Sequence, residues 1–113
     1  GTITVAQLAQ ALESNRVAEL WNVLTDDFFT GEMIPGSRRV PLDRIGRDAR
    51  ALGTPTDAFV VVYCSGPTCP QSRAAAEKLA ALGFTNVHAF EGGLQAWRES
   101  GRALERAEQA AVA

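Results

Sequence analysis

The sequence is short of the residues that staple, coordinate or span. Its 113 positions hold two cysteines, one histidine, one methionine and one tyrosine. The cysteines, Cys64 and Cys69, stand five positions apart. A bridge between them closes only a tiny loop, so no disulfide framework is expected. A close pair in a chain without secretory signals reads instead as catalytic, redox or metal-related. Two thiols and a distant His88 fall short of the four ligands of structural zinc, so no metal site is expected. No apolar run approaches the roughly 20 residues of a membrane span. With a formal charge of −2 and a pI near 5.3, the chain lacks the basic excess of a nucleic-acid binder. No leader-like segment opens it, and a cytoplasmic location is expected. No repeat, linker or low-complexity tract marks a second domain.

What is present is ordinary for a globular domain, 46% hydrophobic and 21% charged. One domain of this size buries roughly 65% of its unfolded surface, enough for a core without staples. Elements alternate along it. Thr2–Thr4 reads as a short strand, with Thr4 capping a helix through Leu12 that carries Val5, Leu8, Ala9 and Leu12. Glu19–Leu24 is a strand, Phe28–Gly36 an irregular connection with a Pro35-Gly36 turn, and Ser37–Val40 a short strand. Leu42–Leu52 has helical spacing. Asn86–Phe90 is another strand, and Gly92–Gly101 holds a short helix with Leu94 and Trp97. Short connections between alternating strands and helices predict a largely parallel sheet covered on both faces.

The organising stretch is 58–83. The β-forming run Phe59-Val60-Val61-Val62-Tyr63 ends at Cys64 and reads as a strand buried on both faces. Small residues follow, Ser65-Gly66-Pro67-Thr68-Cys69-Pro70. A helix begins near Gln71 or Ser72 and runs to about Leu82, with Gly83 as its stop. Ligands of open α/β sheets bind at the carboxyl ends of strands. The helix N-terminus favours an anion and lowers a nearby thiol pKa, which activates it as a nucleophile.

Tyr63-Cys64, then Ser72 with Ala75-Ala76, Leu79 and Gly83-Phe84, then Glu91-Gly92-Gly93 and Ala96-Trp97, resemble the second half of a rhodanese domain. Ile34-Pro35-Gly36-Ser37 extends the likeness upstream over nearly the whole chain. The sequence is therefore similar to single-domain rhodanese-like sulfurtransferases, in a variant with a Cys-x-Gly-Pro-x-Cys loop. That implies an α/β three-layer fold, with a mostly parallel sheet of about five strands and helices on both faces. The domain is expected over 1–102, followed by a helical or frayed tail over 103–113.

The resemblance also implies a chemistry. Cys64 would take a sulfane sulfur from a donor such as thiosulfate, hold it as a persulfide, and pass it to a thiol or to cyanide. Neither a metal nor an organic cofactor is required. A small donor, a thiol acceptor and a sulfur-carrier protein are the partners in view. Ser65, Gly66, Pro67, Thr68, Cys69, Pro70, Gln71, Ser72 and Arg73 are the expected substrate-binding residues, with converging backbone N–H groups forming an anion nest. Cys69 is a candidate resolving thiol for a Cys64 persulfide or sulfenate, or else a small residue buried before the helix. Two other readings stand beside the first: a thiol redox module cycling a Cys64/Cys69 disulfide, and a non-catalytic rhodanese-like binding domain.

The chain departs from the commonest family pattern at several positions. Gln71 stands where an arginine usually precedes the serine, and Arg73 follows Ser72. Pro70 occupies the place of the guanidinium in a Cys-x5-Arg phosphatase loop. Asn22-Val23-Leu24 replaces Asp-x-Arg, and Glu32-Met33 precedes Ile34-Pro35 in place of Gly-His. Arg38, Arg39 and Arg73 are read either as drawing anionic donors or as solvated surface. His88 is read as a solvent-facing strand residue, and Trp21, Phe90 and Trp97 as core. Gly92-Gly93 is expected to make a tight turn beside the Cys64 loop.

Overall fold

The computed structural model describes residues 1–106. The chain enters through α1 (Val5–Glu13), capped by Thr4, whose side chain accepts from Gln7 N–H while the Gln7 side chain returns to the Thr4 N–H. Strand β1 (Glu19–Asn22), the two-residue strands β2 (Glu32–Met33) and β3 (Arg38–Arg39), and a 3-10 turn at Leu42–Arg44 lead into α2 (Ile45–Leu52). Gly53, at φ +69°, ends that helix in the left-handed conformation a glycine adopts freely. Then come β4 (Val60–Tyr63), α3 (Gln71–Ala81), β5 (Val87–Phe90), α4 (Gly93–Glu99) and β6 (Glu105–Arg106).

Four strands form an all-parallel sheet in the order β3-β1-β4-β5. β4 is central, and all four of its residues are buried. Its side chains alternate between two cores. Val60 and Val62 pack with Trp21, Ile45, Ala49, Ala75 and Leu79, from the α2/α3 side. Val61, Tyr63 and Cys64 pack with Leu8, Leu20, Phe90, Leu94 and Trp97, from the α1/α4 side. A strand apolar on both faces demands this three-layer arrangement.

Two expectations change. The sheet has four strands where about five were expected. Thr2 makes only an isolated parallel bridge to Ala89, because Thr4 already caps α1 and leaves no length for a ladder. The tail read as helical or frayed from 103 instead runs extended at Glu105–Arg106, antiparallel to β2. Its composition favours helix, but tertiary contacts hold the chain leaving α4. Trp97 Nε1 donates to Ala103 O at 2.9 Å, and Leu104 packs on the α1/α4 core. The remainder of that tail, 107–113, lies outside the described residues.

Candidate active site

Cys64 follows the last residue of β4 and is 0% exposed. The loop after it is tied down on one side by the start of α4. Leu94 N–H donates to Cys64 O at 3.1 Å, and Gln95 N–H donates to Ser65 O at 3.0 Å. Gly93, at φ +57°, makes that approach possible. A Cβ on it would overlap the Cys64 carbonyl oxygen and stand 2.9 Å from both Ser65 C and Gly66 N. Gly66 is less confined, since a Cβ there would meet only the movable Gln95 side chain, with Oε1 at 2.9 Å. The Gly92-Gly93 turn thus packs directly on the thiol loop.

On the other side the loop runs into α3. Cys69 N–H closes a turn onto Gly66 O at 3.0 Å, and the Cys64 thiol lies 3.5 Å from Cys69 O. The Cys69 side chain packs against the same core cluster that holds Cys64. Burial pushes the Cys64 thiol pKa up, reinforced by its contact with Cys69 and opposed by the Ser72 side chain and backbone N–H. Burial acts against the Cys69 thiolate too, but hydrogen bonds from Cys64, from the Gln71 backbone and from Ser65 outweigh it and hold its pKa below the ordinary value. The acidifying effect expected of the helix terminus at Cys64 therefore falls net on Cys69. Cys64 feels the same helix, but its depth dominates.

Ser72 is 0% exposed, and its Oγ finds no hydrogen-bond partner among the described residues. It nevertheless lies near enough to the Cys64 sulfur to favour a negative charge there. A buried hydroxyl without a partner costs stability, and this one stands beside the candidate nucleophile.

Ser65, Thr68, Cys69, Pro70 and Gln71 line one shallow cleft of about 370 Å³, facing Leu24 and Phe28. Pro67 is exposed on the outer rim of the loop. No charged side chain lines this cleft. Gln71, in the place of the usual arginine, is committed elsewhere: its Oε1 accepts from Thr25 N–H and its Nε2 donates to Thr25 Oγ1, both at 3.1 Å. Arg73 turns away to Glu91 at 3.5 Å and borders a separate cleft. Arg38 pairs with Glu19. Arg39 donates to Asn22 O, Asn22 Oδ1, Leu24 O and Asp26 Oδ1, and stacks 4.0 Å from the Phe29 ring centroid. None of the three lines this cleft; Arg39 instead ties the segment after β1 together.

His88 stands in β5 against Phe59 and hydrogen-bonds Asn86 Oδ1 at 2.8 Å, apart from the cleft. Two residues given no site role from the sequence complete the surroundings. Tyr63 OH accepts from Ile34 N–H at 3.0 Å and shares a 2.7 Å hydrogen bond with Ser37 Oγ, anchoring the Pro35-Gly36 turn to β4. Phe28, 63% exposed, forms the far wall of the cleft. Its isolation in an irregular stretch gave no periodicity by which to assign it. Among the described residues no group of three His, Cys, Asp or Glu stands together to hold a metal ion, and no helix is long and apolar enough to cross a membrane.

A parallel three-layer α/β domain that presents a cysteine between a buried strand and a helix N-terminus places that thiol where ligands of open α/β sheets bind. The rhodanese-like domain model matches residues 4–100, and the chain belongs to that family. No curated protein sequence matches it. Among solved structures it resembles a thiosulfate sulfurtransferase from Pseudomonas aeruginosa, with a TM-score of 0.80 at 28% identity, over 94% of this chain and 20% of that one. The rhodanese-like domain of an Anabaena protein superposes at TM-score 0.80 and 24% identity, over 93% and 78% of the two chains. The human single-domain sulfurtransferase TSTD1 superposes at 0.72 and 18%, over 87% and 95%.

Proposed function

We propose that this domain is a sulfurtransferase that carries sulfane sulfur on Cys64. The observation that supports this most is the unpartnered, fully buried Ser72 hydroxyl beside the Cys64 sulfur, at the first turn of α3. A terminal persulfide sulfur is anionic and needs donors that do not have to reorganise to meet it. The Ser72 hydroxyl and the Ser72 backbone N–H are such donors.

The cycle has two covalent steps. The Cys64 thiolate attacks the outer sulfur of a donor, and the donor's remaining fragment leaves; from thiosulfate that fragment is sulfite. An acceptor nucleophile then takes the outer sulfur and restores the thiolate. Thiosulfate is one donor that fits this chemistry, but it would meet backbone N–H groups and no guanidinium, so a high KM for it is expected. A reducing compartment such as the cytoplasm keeps both thiols available.

Intact-mass measurement of reduced protein after incubation with thiosulfate tests the carrier. Cys69→Ser should gain about one sulfur mass, and Cys64→Ser should gain none; turnover by Cys64→Ser should fall at least ~1,000-fold. Sulfur taken up by Cys64→Ser and not by Cys69→Ser would transfer the carrier role to Cys69 and overturn the reading.

A further inference from the structure

Given a Cys64 persulfide, on which this step rests, we propose that Cys69 attacks the inner sulfur of that persulfide, so that the domain releases hydrosulfide and closes a Cys64–Cys69 disulfide. Geometry makes the distinction between inner and outer sulfur. Cys69 packs against the core cluster that holds Cys64, and its carbonyl lies 3.5 Å from Cys64 Sγ itself, which becomes the inner atom once a sulfane sulfur is attached. Cys69 also lines the open cleft, whereas Cys64 is fully buried behind it. An external acceptor reaching for the outer sulfur therefore competes with a thiol held in the same short loop.

The leaving groups argue the same way. Attack on the outer sulfur must expel the Cys64 thiolate, whose formation is opposed by burial. Attack on the inner sulfur expels hydrosulfide, a small anion that can leave through the cleft. Thiol–disulfide exchange runs faster toward the more acidic leaving group and from a nucleophile that is ionised near ambient pH. Cys69 is the more acidic thiol of the pair.

The step balances. The Cys69 thiolate forms an S–S bond to Cys64 Sγ as the bond between Cys64 Sγ and the outer sulfur breaks; the outer sulfur departs with the electron pair as hydrosulfide. The sulfane sulfur is reduced, and the two cysteines are oxidised together to one disulfide. A cellular dithiol reductant must then reopen the loop. The overall reaction consumes a sulfane-sulfur donor and a dithiol, and yields the donor's remaining fragment, sulfide and a disulfide.

Single-turnover incubation of the reduced full chain with thiosulfate, and separately with sodium tetrasulfide followed by rapid desalting, tests this. The wild type should release close to one sulfide per chain and end two hydrogens lighter with no added sulfur. Cys69→Ser should keep the sulfur and release sulfide at least ~100-fold more slowly, the advantage of a positioned over a diffusing thiol. A wild type that retains its persulfide as long as Cys69→Ser does would overturn the inference while leaving the carrier reading intact. Failure of Cys69→Ser to take sulfur from either donor would overturn the carrier reading itself. Oxidation by diamide gives an arm independent of any donor: the wild type should form a monomeric Cys64–Cys69 disulfide, and its absence would also overturn the inference.

Discussion

Two buried polar clusters lie in this domain, and they are finished differently. Around Asn22, at the end of β1, the polar groups answer one another. Asn22 Oδ1 accepts from Leu24 N–H and from Arg39, its Nδ2 reaches Glu32 O, and Arg39 adds two carbonyls and Asp26. Around Cys64, at the end of β4, two thiols share one short loop and the Ser72 hydroxyl has no partner. The first arrangement is closed and structural. The second keeps hydrogen-bonding capacity beside the proposed nucleophile, at a cost in stability.

The contrast can be broken first at the hinge of the reactive loop. Gly93→Ala puts a methyl group into the Cys64 carbonyl and a side chain at positive φ. Leu94 N–H and Gln95 N–H would lose their alignment on the loop carbonyls. We expect a loss of about 2–4 kcal/mol in chemical denaturation, from overpacking plus backbone strain, with sulfur uptake by Cys64 falling as well. Unchanged stability and uptake would mean the loop does not depend on that close approach.

Arg39→Met tests the closed cluster. It removes four hydrogen bonds and the Phe29 stacking while keeping much of the apolar stem. A cost of about 2–3 kcal/mol is expected, because Asn22 Oδ1 and two carbonyls lose a donor. Sulfur uptake per folded molecule should stay within twofold, since Arg39 is absent from the cleft. A tenfold fall in uptake with no loss of stability would show that the guanidinium serves the donor after all.

Sequence alone carried the central features for a physical reason: they are local. The run Phe59–Val62 announces a strand buried on both faces, and Gly92-Gly93 announces a close turn. Arg39 was not assignable, because its partners lie 13 to 17 positions away on a connection with no periodicity. The departure from an Asp-x-Arg pattern marked that something else had to fill the gap, without saying what. The pairing of β6 with β2 was hidden in the same way, under a composition that favours helix. Within the reactive loop the residues were legible but their acidity order was not. Helix proximity acts on both thiols, and the balance of burial against each thiol's hydrogen-bond partners decides which keeps its proton.

The smallest change sharpens the comparison most. Ser72→Ala deletes the one unpartnered buried hydroxyl of the described residues. Removing a satisfied buried hydroxyl costs about 1 kcal/mol, whereas removing an unsatisfied one is neutral or slightly stabilising. Stability should therefore hold or rise by up to ~1 kcal/mol. Reactivity should move the opposite way. The hydroxyl draws the Cys64 pKa down against burial, so its loss lets burial push that pKa further up. Below the pKa, the thiolate fraction falls tenfold for each unit the pKa rises. Alkylation of Cys64 should thus need a higher pH in Ser72→Ala than in its parent, and at neutral pH it should slow several-fold. Both proteins are best studied in a Cys69→Ser background, so that one thiol titrates and not a coupled pair. If stability falls by the ordinary cost of a hydrogen bond while the alkylation profile stays put, Ser72 belongs with the Asn22 cluster as structure, and the support it gives to a Cys64 persulfide is withdrawn.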